Sequence, residues 1–87
     1  MRVMVDVHIE IAPERLAEAQ ALLPAERARV AADLQSGAME AIYFEDAALP
    51  PHIWALRRGA SLEAVQRMVE TYPLAAFFHV TYTPLRD

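Results

Sequence analysis

His8, His79, Asp6 and Glu26 are the residues of this 87-residue chain best suited to moving protons. Asp6 and His8 stand two apart in the alternating stretch VMVDVHIEI, residues 3–11, so they share one face of an extended strand. The opposite phase (Val3, Val5, Val7, Ile9, Ile11) is wholly aliphatic. His79 lies in AAFFHVTYTP, a last strand expected beside the first, which brings it to the Asp6–His8 face. A carboxylate beside an imidazole raises its pKa and orients it, as a general base or acid requires. His8 with Asp6, assisted by His79, is therefore the leading catalytic set; the same group also fits a polar network satisfied across a dimer interface. Glu26, early in a helix, is a candidate acid/base residue if it faces the sheet, and a dipole-stabilised surface glutamate if it faces water. Tyr43, Trp54 and Tyr82 offer walls for a flat organic molecule, with Arg57 as carboxylate anchor. They fit a core or interface equally well, and Arg57-Arg58 before Gly59 also fits a solvated turn. His52 opens a strand next to the first. Three histidines on three adjacent strands would suit a metal, but no short spacing such as His-x-His supports one and none is assigned.

The elements that must position these residues follow from periodicity. The first strand covers residues 2–11. A helical stretch then carries Leu16, Leu23, Val30 and Leu34, opened by Pro13 and stopped at Gly37. Pro24 should break or kink it, leaving residues 24–36 as the firmer helix. Residues 38–46 and 52–58 read as a second and a third strand. Ser61 caps a second helix with Leu62, Val65, Met68 and Val69 on its buried stripe, ended by Tyr72-Pro73. Residues 75–84 form the last strand. The order β-α-β-β-α-β is an α+β, ferredoxin-like arrangement: a four-stranded antiparallel sheet, order 4-1-3-2, with two helices on one face. The aliphatic phase of the first strand and Phe78, Val80 and Tyr82 should face the helices. Asp6, His8 and Glu10 should share the open face with Phe77, His79 and Thr81. A face mixing Met4 and Phe77 with charges suggests a second sheet packed over it, as in a dimeric α/β barrel.

Composition bounds the rest. One domain over residues 1–87 is expected, and a chain this short buries only about 60–65% of its unfolded surface, so it gains from oligomerising. A hydrophobic content of 55% points the same way, to a homodimer or higher homo-oligomer. The net charge of −4, without a basic stripe, excludes nucleic acid as a partner. With no cysteine there is no disulfide framework or thiolate nucleophile. No run of transmembrane length and no signal-like start occur, so no membrane partner and a cytoplasmic location are expected. No phosphate loop, G-x-S-x-G or dinucleotide fingerprint is present, and no cofactor is expected.

The chain resembles the muconolactone delta-isomerase family of the dimeric α/β-barrel superfamily. The resemblance rests on the alternating first strand, PAER opening the long helix, LQSG closing it, and SLEAVQRMVETYPLAAFFHV with its Pro73-Leu74 step. It implies a cofactor-independent proton shift on a small lactone, cyclic organic acid or polyketide-like compound, and aligns Glu26 with an acidic position of the family. Asp6 stands where the isomerase usually carries a basic residue, and YFEDAALPP lacks the family's arginine and glycine. A lactone carboxylate would meet a negative charge there, which points away from muconolactone itself. Two other readings keep the fold: a cofactor-free monooxygenase of the same superfamily, and a non-catalytic small-molecule-binding or dimerisation module.

Overall fold

The computed structural model describes residues 1–86. Strand β1 (Arg2–Ile9) leads through a 3₁₀ turn at Pro13–Arg15 into helix α1 (Leu16–Ser36). Strands β2 (Met39–Phe44) and β3 (Ile53–Arg58) follow, then helix α2 (Leu62–Glu70). A second 3₁₀ turn (Ala75–Phe77) enters strand β4 (Phe78–Leu85). The strands pair antiparallel in the order β2-β3-β1-β4, the expected order read from the other edge. This is the α+β ferredoxin-like fold.

Alternation in β1 does what its pattern requires. Val3, Val5 and Val7 are each no more than 5% exposed, and full burial of such a side chain is worth about 2 kcal/mol. They pack with Met39, Ala55, Val65, Val69 and Tyr72 under the helices. Phe78, Val80 and Tyr82 join them from β4, as expected. A bulge between Met39 and Ala41 lets Met39 and Ile42 both point into this core. Ser61 caps α2, its hydroxyl accepting the Ala64 N–H at 3.1 Å. Gly37 ends α1 at φ 84°, a left-handed conformation open to glycine at little cost.

Two expectations are corrected, the break at Pro24 and the placing of Phe77. Helix α1 does not break at Pro24; it runs unbroken from Leu16 to Ser36. Proline removes the donor that would bond the Gln20 carbonyl, but Gln20 and Pro24 are both exposed, where water can satisfy that oxygen. Phe77 does not lie on the open sheet face. Its 3₁₀ turn precedes β4 and rotates the ring inward, where it is 3% exposed against Ala19 and Leu74.

Arg57 occupies the inward phase of β3, after Ile53 and Ala55, and is 1% exposed. A guanidinium so placed needs a counter-charge. Asp33 of α1 supplies it, accepting from Arg57 Nη2 at 2.8 Å. Arg57 Nη1 donates to the Tyr72 hydroxyl at 2.8 Å, and that hydroxyl donates in turn to Asp33. Burial alone would push Asp33 up, but the hydrogen bonds from Tyr72 and Arg57 outweigh it and hold the carboxyl below its ordinary 3.8. Burial and the bond to Asp33 push the Tyr72 phenol up to about 12. Because Asp33 is held low, its stabilisation is complete above 3.8 and is lost as pH falls through its lower folded value. Asp33→Ala leaves a buried cation unpaired and should cost about 3 kcal/mol at neutral pH in chemical denaturation. A loss within a few tenths of a kcal/mol would show that the pair does not hold α1 to the sheet.

Candidate functional site

Helix α1 touches the sheet side near its two ends and bridges a cavity of about 740 Å³ between them. That volume suits a small organic ligand. Val5, Val7 and Ile9 form its floor, Leu23 and Val30 its roof, and Phe78 one wall. Leu16, Leu34, Phe44 and Leu49 stand at the lining and are at least 41% exposed, so the opening is apolar as well. Few polar side chains line it: Gln20, Glu26, Arg27, Arg57 and Tyr72.

Glu26 is the carboxyl among them. It is half-buried, and its Oε1 accepts the backbone N–H of Leu74 at 2.9 Å. The inward alternative of the sequence reading is the one adopted. Burial pushes its pKa up, opposed by the Leu74 hydrogen bond and the Arg29 charge, with a net rise. Arg57 lines the same cavity, and its buried Nε–H has no hydrogen-bond partner. It is neither a solvated turn residue nor a free anchor, because Asp33 already holds one end of its guanidinium.

All the remaining candidates but Tyr82 are separated from this cavity by the sheet. Asp6, His8 and His79 lie on its open face, with His8 directly opposite His79 in the register. That much of the expected grouping is present. Asp6, however, contacts His52 through Oδ1 and Nε2, while His79 Nε2 lies 2.9 Å from Glu10. His52 stacks on His8 with ring centroids 3.8 Å apart and on Trp54 at 4.0 Å. Tyr43 is on the same open face, opposite Trp54 in the register and 59% exposed. Tyr82 is on the helix side but borders a smaller hollow between α2 and β4, where burial and the nearby Glu70 charge push its phenol up. The eight candidates thus divide: Glu26 and Arg57 at the cavity, Tyr82 beside it, and Asp6, His8, His79, Tyr43 and Trp54 across the sheet. Glu26 does not share a site with His8.

Asp33 and Tyr72 escaped the sequence reading, which used Tyr72 only as a helix stop. The signal was present: a charged residue in the apolar phase of IWALR demands a buried partner. Asp33, four after Arg29 on the stripe that carries Val30, is such a residue.

Among the described residues no helix is long and apolar enough to cross a membrane. Glu26 generates a direct test. Its folded state holds the proton more tightly than the unfolded chain, so its contribution to stability is present below 4.5 and is lost as pH rises through the folded value. Carboxyl-carbon NMR should place its midpoint above 4.5. Glu26→Gln should gain stability relative to wild type as pH rises from 4 to 7. A midpoint at or below the ordinary value would place the carboxyl in water.

No protein-family model matches the chain, and no curated protein matches it. Among solved structures it is similar to the crystal structure of muconolactone isomerase, with a TM-score of 0.81 and 16% identity. The match covers 100% of this chain and 90% of that one. At that identity the likeness is one of fold: the two chains share the ferredoxin-like arrangement from end to end.

Proposed function

We propose that this chain is a cofactor-independent, muconolactone isomerase-like enzyme. It shifts a proton on a small lactone, cyclic organic acid or polyketide-like compound bound between α1 and the sheet. The observation that carries the reading is Glu26, a half-buried carboxyl with a raised pKa and the one carboxyl among the described residues lining a mostly apolar cavity. Ionised Glu26 removes a proton from carbon next to a carbonyl, and the electron pair moves onto the carbonyl oxygen. The protonated carboxyl then returns the proton at another carbon of the conjugated system. One group serves both steps, and a pKa moved toward neutrality suits it to both. Arg57, which lines the same cavity and is held charged by Asp33, supplies the positive charge assigned to the substrate oxygen. The apolar walls select a ligand with little polarity beyond that oxygen.

In this reading the chain works as a homodimer, its open sheet faces packed together as in a dimeric α/β barrel. Met4 and Leu56 are adjacent in the register and give that face an apolar centre beside Trp54. Arg2 and Arg58, both bound to Glu40, form a charged rim.

Two experiments test the two parts. Solvent deuterium exchange into small lactones and cyclic acids should be catalysed by wild type and fall about 10²–10⁴-fold in Glu26→Gln. Exchange that survives in Glu26→Gln but is lost in His8→Gln would move the chemistry to the open face. Binding without exchange would identify a binding module, and oxygen uptake with quinol-like compounds a monooxygenase. Sedimentation should show a dimer, and Leu56→Arg should raise the monomer fraction. A monomeric wild type would remove the dimer and leave the cavity chemistry standing.

A further inference from the structure

The open face holds a second grouping that the cavity chemistry does not use. Asp6 and His8 project from β1 on the same side, two residues apart. His52 precedes β3, one residue beyond the Val7–Ile53 pair, and so meets His8 across the strands. One ligand atom from each of Asp6, His8 and His52 lies within 4.8 Å of the others. In a single chain the side chains of His52 and Asp6 are 20% and 34% exposed and His8 is exposed. The three lie beyond the Met4–Leu56 centre of the proposed dimer seam, at the other end of β1 from the Arg2–Arg58 rim. The Trp54 ring packs on His52 and limits its rotation.

We propose that Asp6, His8 and His52 bind a divalent first-row transition-metal ion of the zinc type. Two imidazole nitrogens with one carboxylate oxygen form a borderline-soft set; calcium and magnesium would ask for oxygens throughout. A tetrahedral ion with bonds of about 2.1 Å holds its ligand atoms roughly 3.4 Å apart. The three ligand atoms already lie within 4.8 Å of one another, so on binding Asp6 and His8 would adjust about a His52 ring held by Trp54. Three protein ligands leave a coordination position open for water or an external ligand. His79 is outside the set, because Glu10 engages its Nε2. The missing short-range spacing has a simple cause: the third ligand comes from a neighbouring strand, 44 positions along the chain from His8, and sheet register brings it in.

The test uses the full chain and the metal alone. Calorimetric titration with Zn²⁺ should show saturable binding at one ion per chain, and Co²⁺ should develop visible absorption bands. Both should be lost in His8→Gln and in His52→Gln. Asp6→Asn should weaken binding by more than the roughly tenfold that loss of a mere supporting group costs. His79→Gln should bind as wild type does. On wild type, where no variant need fold, Zn²⁺ should shift the imidazole nitrogen resonances of His8 and His52 and leave those of His79 in place. Three results would overturn the proposal: no saturable binding up to millimolar Zn²⁺, binding that persists without His8 and His52, or a shift confined to His79.

Discussion

The buried guanidinium of Arg57 is the constraint on which the arrangement of this chain depends. It sits at 1% exposure in the aliphatic phase of a central strand, where an unpaired charge would cost several kcal/mol. Its partners come from separate elements, Asp33 from α1 and Tyr72 from the end of α2. Neutralising one charge therefore fixes both helices to β3. Arg29 reinforces the knot, lying 3.4 Å from the Asp33 carboxylate and 4.6 Å above the Tyr72 ring. A hydrophobic residue at position 57 could pack as well, but it would not specify which turn of α1 lies over the sheet.

That fixation explains the cavity. The ionic knot pins the C-terminal half of α1, and Ala19 with Leu74 and Phe77 pins the N-terminal half. Between the two anchor points Leu23 and Val30 are only partly buried, each packed on one core cluster and each lining the cavity. Glu26 falls in this span and reaches the Leu74 N–H, which ties it to the second anchor. Its raised pKa follows from position: one backbone donor and a distant arginine do not replace the water it has lost.

Much of the fold was legible because it depends on periods of two and 3.6 that survive without any tertiary information. The aliphatic phase of β1, the Ser61 cap and the Gly37 stop came from local chemistry, and the strand order from the ferredoxin-like arrangement that the element order implied. The helix at Pro24 was misread because tertiary anchoring of both halves outweighs one missing hydrogen bond at an exposed turn. Phe77 was misread because alternation was carried back past the start of β4 into a 3₁₀ turn. The candidate site was legible residue by residue but not as a constellation. Which side of α1 carries Glu26 is set by the Arg57–Asp33 pairing, and that pairing joins positions 24 apart. The His52 contact depends likewise on the register of β3 against β1, which a histidine outside the alternating run does not announce.

Strand β1 then accounts for the chemical division of the molecule. Its odd positions line an apolar-walled cavity at which a carboxyl is partly desolvated, and its even positions gather an aspartate and two imidazoles on the open face. A period-two strand keeps these sets apart by the full thickness of the sheet, so a proton shuttle linking Glu26 to His8 has no direct path. The same separation makes the two faces independent in sequence. A change at Asp6 or His8 leaves the valines of the cavity floor in phase, and a change at Val5 or Val7 leaves the open face intact. Only a slip of register would exchange them, placing charge under α1 and valine on the open face. The Arg57 knot opposes that slip, because it locks β3 to both helices while β3 holds β1 in register.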